Sequence, residues 1–119
     1  MKRGVRSNFL AMRASARFGR AVRARESGNN ALAMKLGRET LAILNHPDVI
    51  RFNPAEGAVL SCAIVLVEEL AAALNVSGAS LRDIGDALRY IRAVGPEGEF
   101  GDWIPYLERR VMQGSIGAA

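Results

Sequence analysis

The stretch NPAEGAVLSCAIVLVEELAAAL, residues 53–74, decides the fold. Asn53 can cap a helix, Pro54 suits the first helical position, and Glu56 can reach back to the cap backbone. From Ala58 to Val67 only Ser61 interrupts an apolar run, so no side of this helix is reserved for water. The pattern predicts one long helix over 54–74 that other elements must surround.

The flanking sequence supplies candidates for those elements. Upstream, residues 7–26 place Leu10, Ala14, Phe18, Ala21 and Val22 on one side of a helix, and Arg6, Arg13, Arg17 and Arg20 on another. SGNN (27–30) breaks that helix, with Gly28 as its stop and Asn30 as the next cap. A second helix to about Asn45 follows, with Leu32, Ala33, Leu36, Thr40, Ile43 and Leu44 on one face and Pro47 closing it. NHPDVIRF (45–52) reads as a linker whose Val49, Ile50 and Phe52 pack down.

Downstream, Asn75 is expected in the left-handed conformation that ends helices. A fourth helix then starts near Ser77 or Ser80 and runs to about Ala93, burying Leu81, Ile84, Leu88 and Ile91. GPEGEFGD (95–102) is a loop. Asp102 can cap a last short helix carrying Trp103, Leu107 and Val111 on one side, and from Gly114 the chain ends in small residues that need not be ordered, 115–119 forming a tail. No segment alternates with period two. The expectation is all-α: a single domain over 1–119, a bundle of about five helices around a buried central helix.

Charge is distributed unevenly. Residues 1–25 hold eight Lys and Arg and no acid, whereas the other 94 carry 8 basic against 12 acidic groups. A basic N-terminal amphipathic helix, residues 1–26, thus sits on an acidic body, which suggests a polyanionic or acidic partner. The same composition also suits a mitochondrial transit peptide. Cys62 is the only cysteine, so no intrachain disulfide can form, and a reducing, cytoplasmic location is the simpler expectation. Counted as ten residues, the apolar run 58–67 is too short to span a bilayer, for which about 20 are needed.

VEELAAALNVSGASLRDI, residues 67–84, resembles the helix-turn-helix of bacterial and phage DNA-binding regulators. Ala71 stands where that family packs a small residue, Asn75 at the turn, and Leu70, Leu74, Val76, Leu81 and Ile84 at the hydrophobic positions. The resemblance implies a hairpin over 67–92 whose recognition helix starts near Ser77 and turns Ser77, Gly78, Arg82, Asp83 and Asp86 to a major groove. On that helix Arg82 and Arg89 are offset by Asp83 and Asp86, which also suits a salt-bridged solvent face. Residues 18–44 look faintly like one tetratricopeptide unit, with a turn about two residues too long.

Reactive groups are sparse. His46 is the only histidine, Cys62 falls inside the apolar run, and Glu68 and Glu69 point about 100° apart on a helix. The expectation is no catalytic set, no metal site and no cofactor. The reading is therefore a small non-enzymatic regulatory protein that binds nucleic acid, DNA before RNA, through Arg6, Arg13, Arg17 and Arg20 of the first helix and Ser77, Gly78, Arg82 and Arg89 of the hairpin. The alternative is a helical protein-interaction module, an adaptor or inhibitor, docking an acidic protein. A homodimer fits either reading, and neither includes a membrane span.

Overall fold

The computed structural model describes residues 3–46 and 56–118, with side chains for 9–46 and 57–113. Five α-helices follow in order: α1 (Arg3–Glu26), α2 (Asn30–Leu44), α3 (Glu56–Leu74), α4 (Leu81–Val94) and α5 (Ile104–Ala118), the last entered through a 3-10 turn at Gly101–Trp103. The described residues contain no strand. The fold is an all-α bundle, as the periodicity required.

Each helix packs chiefly against the next in sequence, and α1 also touches α3. The inner face of α1 is made of Ala11, Ala14, Ala21 and Ala24, all buried, so its backbone can approach α2 closely. Gly28, at φ +84°, takes the left-handed turn between them. The cap of α2 is Asn29 rather than Asn30, its side chain accepting from Leu32 N at 3.1 Å. Ser27 and Gly28 complete the stop with backbone bonds of 3.1 and 3.0 Å to Arg23 and Arg25, which leaves the cap to the next residue.

Ile64 and Val67 of α3 are wholly buried together with Leu44, Ile84 and Leu107, which come from α2, α4 and α5. At about 1.5–3 kcal/mol for each large apolar side chain removed from water, this shared contact is the main stabilising term of the bundle. The buried hydroxyls of Thr40 and Ser61 are satisfied within their own helices, donating to Leu36 O and Gly57 O at 2.8 Å each. Two expectations change. The burial of α3 is not all-round, since Ala58 is exposed and Cys62 and Val65 are half-buried on its outer flank. The C-terminal residues are also no loose tail, because α5 continues past Gly114 to Ala118. A helix already nucleated upstream has no second nucleation cost to meet, which offsets the roughly 1 kcal/mol that a glycine costs relative to alanine.

By length and composition Gly57–Leu74 is long and apolar enough to cross a membrane, which corrects the ten-residue count. That count stopped at Glu68 and Glu69, whereas a span tolerates two acids if they find partners. Here both do: Glu68 pairs with Arg110 of α5 and Glu69 with Arg25 of α1. Half of the stretch is buried inside the bundle. The linker expected at 45–52 and the Asn53–Pro54 cap lie, beyond His46, outside the described residues.

Candidate nucleic-acid interface

The arginines of α1 do not act as one stripe. Arg13 and Arg20 are exposed and form no ion pair among the described residues. Arg17, one turn beyond Arg13, is instead half-buried and bonded to Glu39 of α2. Arg25 is held by Glu69 at 2.6 Å. Arg6 lies on the α1 backbone, with its side chain outside the description. These pairs tie two of the basic groups to the body, and among the described residues no acid pairs with Arg13 or Arg20.

The outer face also holds residues that the sequence reading did not select. Arg23 is exposed, forms no ion pair among the described residues, and lays its guanidinium over Gly19, where a Cβ would meet it at 3.5 Å. Phe9 is 58% exposed and Met12 72%. At 100° per residue Phe9, Met12, Arg13, Arg20 and Arg23 share an arc of about 100°. The sequence reading assigns Leu10 and Phe18 to the inner side, where they do pack against the core, and assigns no side to Phe9 and Met12.

The α3–α4 connection is longer than the resemblance implied. Asn75 does adopt the left-handed conformation, at φ +56°, and Val76 N–H donates to Ala71 O at 3.0 Å. The chain then runs without helix to Ser80, whose hydroxyl caps α4 by accepting from Asp83 N at 3.1 Å. Ser77 and Gly78 therefore lie in the connection and not on the first turn of a recognition helix. Their place is fixed by the protein itself. Arg38 donates to Ser77 O at 2.6 Å, and Arg110 to Ala79 O at 2.9 Å. Arg110 Nε also bonds Glu68 Oε1 at 2.7 Å, and a Cβ on Gly78 would lie 1.9 Å from Glu68 Oε2. Only glycine fits there, because the buried carboxylate occupies the space of a side chain.

On α4 the charges are largely spent internally. Arg82 is exposed with no ion pair among the described residues, Arg89 is exposed but bonded to Asp86, and Arg92 reaches Glu108 of α5 at 3.5 Å. Asp83 is buried, and that desolvation pushes its carboxyl above the usual range, with the Ser80 hydrogen bond opposing the rise. An open groove of about 630 Å³ runs between the connection and α5, lined by Asn75, Ser77, Ser80, Tyr106 and the Glu68–Arg110 pair. Helix α3 touches both α1 and α4 and so lies between the two arginine-bearing helices.

Cys62 lies on the half-open flank of α3, where burial and then the charge of Glu99 push its thiol pKa up. A thiol so shifted is a weak nucleophile at neutral pH. Among the described residues no three His, Cys, Asp or Glu groups converge as metal ligands. The class defined here is an all-α bundle, with five helices among the described residues and an outward cationic face on α1. No family model, curated protein or solved structure matches the chain.

Proposed function

We propose that this protein is a small non-enzymatic nucleic-acid-binding module that grips phosphate backbones with the outer face of α1. The observation that carries the reading is the set Arg13, Arg20 and Arg23, three exposed cations on one helix face with no ion pair among the described residues. Neutralising phosphates releases counterions, so such a face binds polyanions without needing base contacts. A regulatory role in the cytoplasm belongs to the same proposal. The 67–92 hairpin is secondary in it, since Arg82 is the one exposed α4 cation without an ion pair among the described residues.

A second reading, docking on an acidic protein, is favoured by the exposure of Phe9 and Met12 beside those arginines. Direct titration separates the two. The purified protein should bind random duplex DNA or single-stranded RNA at low salt and weaken steeply toward physiological salt. Replacing Arg13, Arg20 and Arg23 together by Gln should flatten the salt dependence by about 0.9 per lost duplex contact. Arg82→Ala should alter affinity by less than about threefold on every sequence, whereas loss of a base-reading arginine costs about 1–3 kcal/mol on one preferred site. Absence of binding to either polymer at low salt would overturn the proposal in favour of an acidic protein partner.

A further inference from the structure

Helix α1 packs Leu10 and Phe18 against the core but sends two other large apolar residues outward. It buries Ala11, Ala14, Ala21 and Ala24 while leaving Phe9 and Met12 in water. Besides the acidic protein of the second reading, four kinds of surface could cover them. A bilayer requires a broad apolar face, and beyond Phe9 and Met12 the described outer face offers only Ala16 and Gly19. A second copy docked on the same face would bring Arg13, Arg20 and Arg23 of both protomers together with no acid between them. Duplex DNA presents phosphates to the arginines but keeps the faces of its bases stacked away from Phe9. An unpaired strand offers both groups at once, since every base has an apolar π-face and phosphates on either side.

Resting on the nucleic-acid reading above, we infer that the ligand is single-stranded nucleic acid, with Phe9 as a stacking platform for a base and Arg13, Arg20 and Arg23 tracking the backbone. Phe9 and Arg13 lie one turn apart, so a base on the ring places its own phosphate beside the first cation. Arg20 and Arg23 lie about 10 and 15 Å further along the helix axis from Arg13, which lets the strand run along α1 rather than across it. Met12, on the same face, extends the apolar platform beside the ring.

The experiment compares a mixed-sequence single strand, as DNA and as RNA, with its own duplex by fluorescence anisotropy at matched salt. The single strands should bind at least tenfold more tightly. Phe9→Ala should weaken single-strand binding by about five- to a hundredfold and duplex binding by less than twofold. Phe9→Leu, which keeps apolar area but loses the ring, should behave like Phe9→Ala, and Phe9→Trp should restore binding. Phe9 is mostly exposed, so an unchanged melting temperature is expected for each variant. Equal affinity for duplex and single strand, insensitive to Phe9, would overturn this inference while leaving the proposed function standing. Binding to vesicles of anionic phospholipid but to neither nucleic acid would overturn both.

Discussion

Helices α1 and α4 both display arginines, yet their charges do different work. On α4, Asp86 holds Arg89, and Glu108 of α5 faces Arg92, so the helix is close to self-neutralised and bound to its neighbour. Among the described side chains of α1, acids from other helices reach Arg17 and Arg25. The outermost cations, Arg13, Arg20 and Arg23, are left to solvent or a ligand. The contrast teaches that a count of basic residues says little about binding until the location of the compensating acids is known.

The largest test asks whether these two regions are parts of one cooperative unit. Ile64 is wholly buried in the helix that lies between them, so Ile64→Asp should cost several kcal/mol and unfold the bundle, given typical stabilities of about 5–15 kcal/mol. Thermal melting followed by circular dichroism checks this. A cooperative melt near the parent temperature would mean that α1 and α4 do not share this core.

Next in size is the fastening of the α3–α4 connection. Gly78→Ala forces a methyl group into Glu68 Oε2, and Glu68→Gln leaves Arg110 without its carboxylate. Each should lower stability by about 2–4 kcal/mol. In urea melts each variant should lose more than Arg13→Gln, which changes an exposed side chain and should stay within about 0.5 kcal/mol of the parent. Parent-like stability in both variants would show that the connection is not held by this pair, and would sharpen interest in a mobile hairpin.

A smaller effect separates the two kinds of arginine within α1. Arg17→Gln should cost less than about 1 kcal/mol, because its partner Glu39 is itself about one-third exposed. It should also reduce nucleic-acid binding less than Arg13→Gln at the same salt. Equal losses in anisotropy titrations would erase the division between paired and unpaired cations.

The smallest effect belongs to Asp83. Its carboxyl pKa is raised in the folded state, so the folded protein holds that proton more tightly than the unfolded chain does. The resulting stabilisation is full below the ordinary carboxyl range and is lost as pH rises through the raised value. Asp83→Asn removes this dependence. Its melting temperature relative to the parent should improve between about pH 3 and pH 7, by an amount equivalent to less than about 1 kcal/mol. An opposite slope would indicate that Asp83 gains a cationic partner on folding.

The sequence by itself determined the elements of this protein. Apolar spacing at three and four residues fixes which faces of α2 and α4 turn inward, except that Leu32 and Leu81, expected on those faces, stand exposed in the first turn of each helix. Gly28 and Asn75 mark their turns because only residues tolerant of positive φ end helices in that way, and the run 58–67 requires a helix surrounded by others. These are local properties, written in adjacent residues. Tertiary structure decided everything that depends on partners distant in sequence. Whether Arg17 is a free cation rests on Glu39, 22 residues away, and whether Gly78 opens a recognition helix rests on Glu68 and on Arg110, 42 residues beyond that glutamate. The outward side of Phe9 and Met12 follows from their 100° spacing with Arg13 and Arg20, but how deeply Leu10, Phe18 and the alanines sink against a neighbouring helix depends on the packing alone.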